Sequence, residues 1–435
     1  MTAVTIGVLG IILFLVIIIL GMPIALGMSL VGIFGYASLT SFKAAFSMIG
    51  MDLFASVNSY SLSVIGMYTL MGYFALHSGI GAGLFDFAYK MIGHWPGGLA
   101  MASEFSCAAF GAVCGSGPAT TSTIASIACP EMKRKGYKPE LYTGSVAAGG
   151  GLGLLIPPSI TAIIYGTMTG TSIGKLFIAG VGAGLLLCGC FCLLIFILVK
   201  RDPELAPQGP RFSMSERVKT LGGGLLEVLI IFFASIAGLT TGLFTPTESG
   251  AAGAFMVLAV VLIRRKLTWR GFLSSLYDTA RTIGMVLLLV ACATTFGRFI
   301  ALAQIPAAVV NFCDGFSDNG YVILLIVGIV YLIAGCFIDS LPMLMITIPI
   351  FYPVIVTAYG FDAVWFGIFC TMVCLMGMIT PPVGIDAYVC KAVNPDVPLT
   401  TVFKLIWWFV LTIMICIIAV TVFPQIILFL PNLMG

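Results

Sequence analysis

The sequence predicts an all-α polytopic membrane protein made of two similar halves, and three observations lead to this fold class. Of the 435 residues, 60% are hydrophobic and only 9% are charged, whereas about 25% of a soluble domain is charged. The mean hydropathy of +1.15 is too high for a fold whose exterior faces water. Helix-breaking motifs recur at a fixed offset. The composition excludes a soluble enzyme, a nucleic-acid-binding protein and a disordered protein.

About ten apolar segments are candidates for crossing a bilayer, which takes about 20 apolar residues. Two further apolar pairs, 97–131 and 321–358, are interrupted by small residues and Pro. Their arms are short for two crossings, so they are predicted to be re-entrant hairpins, whose non-helical tips must be buried or line a cavity. The predicted crossings are 4–22, 23–40, 60–78, 141–168, 176–199, 223–243, 246–263, 280–300, 362–389 and 404–430.

Basic residues gather in three places and predict the orientation of the chain. The clusters lie within 133–138, 200–219 and 264–270, and the positive-inside rule puts all three in the cytoplasm. Counting crossings outwards from them predicts a periplasmic N-terminus and a periplasmic C-terminus. Asp314 and Asp318 then fall in an outside loop.

The two halves match at an offset of 224 residues, which indicates an internal repeat. Each half has five predicted crossings, an odd number, so the second half is inverted, as in many secondary transporters with broken helices and a midplane site. The predicted division is 1–199, a linker 200–222, and 223–435. The matching residues are Gly111, Pro118, Gly153, Pro157 and Pro158 with Gly335, Pro342, Gly377, Pro381 and Pro382.

The first hairpin breaks at GSGPATT, residues 115–121. Pro118 and the small residues free backbone groups, while Ser116, Thr120 and Thr121 add hydroxyls. Helix N-termini attract anions, and unwound carbonyls attract cations. We expect a substrate or ion site here, although a Gly/Ser packing motif between helices is the structural alternative.

The second hairpin breaks at Asp339-Ser340-Leu341-Pro342. An acidic residue deep in an apolar run is costly and usually functional, so Asp339 is a candidate Na⁺ ligand, proton carrier or organiser of the tip. Asp339 is equally a candidate cap for the following helix, and the two roles are compatible.

Two tandem prolines, Pro157-Pro158 and Pro381-Pro382, break one helix in each half because Pro removes backbone donors. The carbonyls freed beside them suit a hard cation such as Na⁺, whereas a simple kink is the alternative. These carbonyls belong to Leu155, Ile156, Ile379 and Thr380.

Several other polar residues have a structural interpretation that we favour. Thr245-Pro246-Thr247-Glu248 is typical of a capping box with Pro at the helix start. Arg281 and Arg298 flank a span and are predicted to be interfacial anchors rather than substrate ligands. The 13 cysteines form no framework and lack the pattern of a metal site.

The motifs, taken in order, resemble the large membrane subunit of TRAP transporters, the tripartite ATP-independent periplasmic transporters of bacteria (DctM type). The resemblance covers nearly the whole chain. The segments that carry it are GSGPATTSTIASI, MKRKGY, LGLLIPPSITAIIYG, FTPTESGAAGAF, FIDSLPMLMITIPIFYPVI and GMITPPVGID.

The resemblance implies sodium-driven uptake of a small organic acid anion, a carboxylate or sulfonate, across the bacterial inner membrane. It implies a periplasmic binding protein (DctP type) that delivers the substrate and a small four-span membrane subunit (DctQ type). It also implies an elevator fold, in which a moving domain built from 97–168 and 321–389 is held by scaffold helices within 1–75 and 223–300. Na⁺ is the expected coupling ion, and no cofactor is expected.

The resemblance places the sodium sites at the hairpin tips and the broken helices. The Na⁺ candidates, mostly through backbone carbonyls, are Ser116, Gly117, Leu155, Ile156, Asp339, Ile379 and Thr380. The substrate candidates are Ser116, Thr120, Thr121, Ser340 and Thr380. A stand-alone divalent-anion/sodium symporter with paired hairpins is the nearest alternative. An intramembrane serine protease is disfavoured because His77 and His94 both precede Ser116, outside the later spans where a catalytic base is expected.

Overall fold

The computed structural model describes residues 2–314 and 319–433, and these residues form helices and connecting loops without any β-strand. The helices of the first half are α1 Ala3–Ile19, α2 Ile24–Leu39, α3 Phe42–Val57, α4 Tyr60–Ser78, α5 Ile80–Ile92, α6 Gly98–Cys114, α7 Gly117–Arg134, α8 Pro139–Gly150, α9 Leu152–Leu155, α10 Ile160–Thr169 and α11 Ile173–Arg201.

The linker and the second half continue this helical pattern. Their helices are α12 Met214–Thr220, α13 Leu225–Thr240, α14 Pro246–Ile263, α15 Trp269–Leu302, α16 Ile305–Asp314, α17 Gly320–Gly335, α18 Ser340–Tyr352, α19 Ala363–Ile379, α20 Ile385–Val393, α21 Leu399–Val422 and α22 Gln425–Asn432. A π-helical turn, Pro353–Ala358, follows α18. Asp314 ends α16, and Asp318 lies outside the described residues.

The fold is that of a polytopic membrane protein. Among the described residues, six stretches are long and apolar enough to cross a membrane, and a seventh forms if α12 and α13, bent by 51°, act as one span. Several shorter apolar helices accompany them, so the count of about ten crossings stays a prediction. The second arm of the second hairpin, Ser340–Ala358, ends at the predicted residue, but its 19 residues are long and apolar enough to cross a membrane.

Four helices, α3, α5, α12 and α16, occur where the sequence predicts no element. α5 is only 13 residues long and carries an ion pair between Lys90 and Asp86 at 2.9 Å. α3 includes Lys43 and Asp52. A search for long apolar runs misses short or polar-edged helices of this kind, because they do not need to span the hydrocarbon core.

The two halves pack reciprocally. α2 packs along α15 while α4 packs along α14, and α7 packs on α20 while α18 packs on α10. By the repeat offset, α2 corresponds to α14, α4 to the second part of α15, α7 to α18 and α10 to α20. Exchange of equivalent partners is what a pseudo-twofold axis between repeats produces. The division of the chain at 199 and 223 itself stays a prediction.

Equivalent glycines bring each hairpin against its broken helix. A Cβ atom added at Gly111 in α6 would lie 2.6 Å from the Cα of Gly153, and one added at Gly335 in α17 would lie 3.2 Å from the Cα of Gly377. Both pairs are the ones that the repeat aligned. Backbone contact of this kind is typical of small residues at membrane helix interfaces.

The three basic clusters lie on one face of the molecule. Lys138 contacts Glu204 of the linker at 3.1 Å, and Arg264 at the end of α14 contacts Glu227 at the start of α13 at 2.6 Å. The common face agrees with the orientation from the positive-inside rule, and its cytoplasmic location stays a prediction.

Ion pairs on that face also join the two halves. Lys133, at the end of α7, pairs with Asp396 after α20, and Lys404 in α21 contacts Glu140 in α8 at 2.8 Å. The hydrogen bond from Lys133 holds the pKa of the Asp396 carboxyl below its usual range. Hairpin α6–α7 and the broken helix α19–α20 are therefore tied at one end as well as at their tips.

Candidate ion and substrate sites

The first hairpin turns where the sequence predicts the break. α6 ends at Cys114, Gly115 has a φ of 68°, and Ser116 is extended before α7 begins at Gly117. Pro118 takes the second position of α7, where a missing N–H costs no helical hydrogen bond. A Cβ atom at Gly115 would lie 2.3 Å from the carbonyl oxygen of Pro158, so the tip rests on the broken helix.

Oxygen atoms converge between this tip and Gly153. A Cβ atom at Gly153 would lie 2.5 Å from the Thr120 hydroxyl oxygen and 2.9 Å from the Ser116 carbonyl oxygen. Thr120 is fully buried, and its hydroxyl has no hydrogen-bond partner. Ser116 and Thr120 share one face of α7, being four residues apart. The Ser116 carbonyl also accepts a hydrogen bond from the Thr120 N–H at 3.0 Å, so its second lone pair and the unpartnered Thr120 hydroxyl are the groups that a small cation can use.

The broken helix supplies fewer of the predicted carbonyls than expected. The carbonyl of Leu155 points away from the hairpin, because a Cβ atom at Gly180 in α11 would lie only 2.5 Å from it. The side chain of Ile156 packs against Gly184 of the same helix. The carbonyl of Leu154 accepts a hydrogen bond from Thr161 at 3.2 Å. The geometry therefore favours Ser116 over Leu155 as an ion ligand.

Asp339 caps α18. Its carboxylate accepts hydrogen bonds from the Ser340 backbone N–H at 2.6 Å and from the Ser340 hydroxyl at 3.1 Å. Pro342 lies in the first turn of this helix. The capping role anticipated from the sequence is confirmed, and the additional role of Asp339 as an ion ligand stays a prediction.

The second broken helix ends in a loop with the same prolines as the first. The Pro381-Pro382 and Pro157-Pro158 peptide bonds are both cis. Thr380 donates its hydroxyl hydrogen to the Met376 carbonyl at 2.6 Å, and the Ile379 carbonyl faces Gly384. The oxygens of Thr380 and Ile379 thus lie in or beside the break, as a ligand role requires.

Two buried carboxyls were not singled out in the sequence. Asp386, in the first turn of α20, and Glu104, in α6, are both fully buried, and none of their carboxyl oxygens has a hydrogen-bond partner. Asp386 ends the segment GMITPPVGID, and Glu104 interrupts an apolar run. An acidic residue at membrane depth was the signal that identified Asp339 and that applies equally to these two.

A cavity of about 590 Å³ lies where α3 and α15 face α10 and α18, and its walls are mostly apolar. Arg298 lines it and contacts the buried Asp52 carboxylate at 2.9 Å. Asp52 also accepts a hydrogen bond from Thr295 at 3.0 Å. Arg298 is half exposed and oriented by a buried partner, which is an arrangement suited to an anion. The predicted role of Arg298 as an interfacial anchor stays a prediction.

The hydroxyl residues predicted to bind substrate are mostly inside the protein. Thr120, Thr121, Ser340 and Thr380 are buried. Ser116 is half-buried and lines a small cavity of about 80 Å³ between α4 and the first hairpin. Of the five candidates, Ser116 is thus the one placed beside a described cavity.

The capping box predicted at the start of α14 is present. The Thr245 hydroxyl accepts from the Glu248 N–H at 3.3 Å, and the Glu248 carboxylate accepts from the Thr245 N–H at 2.8 Å. Pro246 is the first residue of the helix. This confirms the structural interpretation of Glu248.

An all-helical membrane fold in which two hairpins meet two broken helices beside a cavity lined by Arg298 defines a transporter permease. The chain belongs to the DctM component family of the tripartite ATP-independent periplasmic transporters, whose family model matches residues 11–426. The family resemblance seen in the motifs is confirmed. Its relatives are transporter permease proteins, so the chain is a transport subunit and not an enzyme.

Three relatives illustrate the similarity. The chain is 35% identical to the C4-dicarboxylate TRAP transporter large permease protein DctM of Pseudomonas aeruginosa, over 89% of this chain and 90% of that protein. It is 31% identical to the protein of the same name from Rhodobacter capsulatus, over 95% and 96%. It is 30% identical to the sialic acid TRAP transporter large permease protein SiaM of Vibrio cholerae, over 95% of each.

A solved structure supports the fold. The YdaH transporter of Alcanivorax borkumensis superimposes with a TM-score of 0.63 over 88% of this chain and 90% of that one, at 12% sequence identity. At this identity the likeness concerns the fold alone. Within residues 2–314 and 319–433, no three His, Cys, Asp or Glu side chains come together to hold a metal ion.

Proposed function

We propose that this chain is the large membrane subunit of a sodium-coupled tripartite transporter in the bacterial inner membrane. It imports a small organic acid anion delivered by a periplasmic binding protein, and a small four-span subunit braces it. Family membership supports this proposal. So do the names of the relatives, which refer to C4-dicarboxylate, sialic acid and, in Oleidesulfovibrio alaskensis, isethionate.

The observation that best supports the proposed sodium coupling is the oxygen cluster at the first hairpin. The Ser116 carbonyl and the unpartnered Thr120 hydroxyl face Gly153 of the broken helix. Unwound carbonyls and helix ends coordinate Na⁺ in broken-helix transporters. The equivalent junction of the second half, around Asp339 and Thr380, is the second proposed site.

The substrate anion binds between the two bodies of the protein, where the 590 Å³ cavity offers Arg298 and several hydroxyl groups. Arg presents a planar fork that matches a carboxylate or a sulfonate. The buried Asp52 keeps this fork in place. Ser116 lines a separate small cavity between α4 and the first hairpin, and its hydroxyl reaches the anion only when the hairpin moves.

Transport follows an elevator mechanism. Na⁺ binds first and orders the hairpin tips, because a ligand shifts a conformational equilibrium only by its differential affinity for the two states. The loaded body of hairpins and broken helices then slides along the scaffold of α1–α4 and α13–α15. Each Na⁺ that moves inward gains about 2.3 kcal/mol per 100 mV of membrane potential.

Uptake in proteoliposomes tests the function. The chain is reconstituted with its small subunit, and a binding protein loaded with radiolabelled succinate, sialic acid or isethionate is added under a Na⁺ or a K⁺ gradient. We expect uptake of one substrate under Na⁺ with the binding protein present. Ser116→Ala lowers it, whereas Ser126→Ala, whose hydroxyl donates to the Thr123 carbonyl at 2.7 Å, leaves it unchanged.

Two results would contradict the proposal. Uptake that is equal under Na⁺ and K⁺ gradients removes sodium coupling. Uptake that proceeds without any binding protein favours the stand-alone divalent-anion/sodium symporter instead.

A further inference from the structure

We propose that Asp386 and Thr121 form a separate site for a monovalent cation, buried between the first hairpin and the broken helix of the second half. The site differs from the Ser116 and Thr120 cluster, which faces Gly153. The site extends the proposed sodium coupling. Only the assignment of its ion as Na⁺ rests on that proposed function.

The geometry of α7 creates two distinct oxygen-lined faces. Ser116 and Thr120 point towards Gly153 of the first half. Gly117 and Thr121 are also four residues apart and share the adjacent face. A Cβ atom at Gly117 would lie 3.3 Å from an Asp386 carboxylate oxygen, and the Thr121 side chain interacts with the same carboxyl.

The groups at this site lack the partners that buried polar atoms normally have. Asp386 and Thr121 are completely buried, with relative exposures of 0%. Both carboxylate oxygens and the Thr121 hydroxyl are without hydrogen bonds. A buried carboxyl without a partner is either protonated or compensated by a positive charge, and no Lys or Arg of the described residues pairs with Asp386. Unlike Glu104, Asp386 has a threonine hydroxyl beside it, and this second oxygen ligand favours a bound cation.

The donor set selects the kind of cation. Carboxylate, hydroxyl and backbone oxygens are hard ligands, which suit alkali and alkaline-earth ions rather than transition metals. One carboxylate balances one positive charge, whereas Ca²⁺ takes six to eight oxygen ligands and usually several carboxylates. The site therefore fits Na⁺.

Glycines make room for this site on α7 and α8. A Cβ atom at Gly150 would lie 1.7 Å from the Thr121 hydroxyl oxygen, so only Gly leaves that hydroxyl its present position. An ion held here joins α7 of the first half to α20 of the second half, and its departure loosens that contact. Binding of the ion at this site therefore stabilises the contact between α7 and α20 inside the proposed moving body.

The test is the melting temperature of the full chain, purified with its small subunit, as NaCl replaces KCl at constant ionic strength without substrate. The sodium midpoint is the NaCl concentration that gives half of the sodium-induced rise in melting temperature. Asp386→Asn is expected to raise this midpoint at least about tenfold, because the substitution removes the negative charge of a buried ion pair. Thr121→Val is expected to raise the sodium midpoint by a smaller factor. This variant tests the site even if Asp386→Asn does not fold.

Two matched variants serve as controls. Glu104→Gln removes another fully buried, unpartnered carboxyl, which lies beside Gly149 instead of Gly117. Thr123→Val removes a hydroxyl from another face of α7, where it donates to the Ala119 carbonyl at 2.9 Å. Both are expected to keep the wild-type sodium midpoint.

Each outcome decides one question. A wild-type midpoint in Asp386→Asn and Thr121→Val overturns the site, and sodium-dependent uptake by the wild type would then still support the proposed function. Equal midpoint shifts in Glu104→Gln also overturn it, because the effect is then not local. Loss of the shift in Asp386→Asn, in a protein whose uptake is independent of sodium, supports the site and removes the coupling.

Discussion

At the residue scale, Gly153 leaves space for the first proposed ion site. Gly153→Ala places a Cβ atom 2.5 Å from the Thr120 hydroxyl oxygen and 2.9 Å from the Ser116 carbonyl oxygen. We expect this variant to lose most of the sodium-specific rise in melting temperature, because the methyl group occupies the space of the ion. Gly189→Ala in α11, where a Cβ atom meets nothing within 4 Å, is the control. A full sodium response in Gly153→Ala would exclude this cluster as an ion site.

Arg298 makes a contact that the sequence does not predict. A basic residue near the end of an apolar run is typical of an interfacial anchor, but the fold pairs Arg298 with Asp52 of α3. Asp52 lies far from Arg298 in the sequence, and this pair depends on the packing of α3 against α15. Local sequence carries no information about such a contact.

Arg298→Gln tests the anion site. We expect the KM for substrate uptake to rise at least about tenfold, since the loss of a charged hydrogen-bond donor costs about 1.5–3 kcal/mol. The sodium-induced shift in melting temperature is expected to stay as in the wild type. Arg281→Gln, on the same helix but outside the cavity lining, is the control. An unchanged KM in Arg298→Gln would move the substrate site elsewhere.

At the scale of elements, the sequence predicts helix ends better than helix partners. The ends at Gly115, Pro157 and Thr245 follow from local chemistry, since Gly accepts a positive φ, Pro removes a donor and Thr caps. The cluster of Asp386 and Thr121 depends instead on α20 of one half packing on α7 of the other. That contact follows only from the assembled fold.

The capping box of α14 allows a direct test of one such helix end. Thr245→Ala removes the side chain that accepts from the Glu248 N–H, and we expect a loss of about 1 kcal/mol, measured as a lower melting temperature. Thr241→Ala is a matched control in the same loop, because the Thr241 hydroxyl bonds back to the Ala237 carbonyl at 2.7 Å. Equal effects of the two variants would show that the cap is not stabilising.

The close contact of hairpin and broken helix is a second test at this scale. Gly111→Ala would put a Cβ atom 2.6 Å from the Cα of Gly153, and backbone cannot yield as a flexible side chain does. We expect loss of folded protein, read from size-exclusion chromatography. Gly335→Ala, at 3.2 Å from the Cα of Gly377, is expected to be milder. The reverse order would contradict the packing described here.

At the scale of the whole molecule, the elevator proposal divides the protein into a scaffold and a moving body. The proposed scaffold consists of α1–α4 with α13–α15, and the proposed moving body of the hairpins, broken helices, α11 and α21. Between them, α15 packs on α18 and α4 packs on α6, and the 590 Å³ cavity lies at the same boundary. An elevator movement must break these contacts while those inside each body persist.

A disulfide across this boundary tests the movement. A Cβ atom at Gly297 of α15 would lie 3.3 Å from the Cβ of Pro349 of α18, close to the 3.5–4.5 Å range of disulfides. We expect the double variant Gly297→Cys and Pro349→Cys to lose uptake after mild oxidation and to recover uptake on reduction. The pair Gly144→Cys and Leu405→Cys, whose Cβ atoms would lie 3.7 Å apart inside the moving body, is the control.

The control pair and the wild type, which has 13 native cysteines, receive the same oxidant. Oxidised protein with the bond between residues 297 and 349 that still transports at the wild-type rate would show that α15 and α18 do not separate. In that case the bodies are fixed relative to each other, and access must alternate through movement of the hairpin tips alone. A reversible block confined to the first pair would instead require that the whole body of hairpins and broken helices slides past α15 in every cycle.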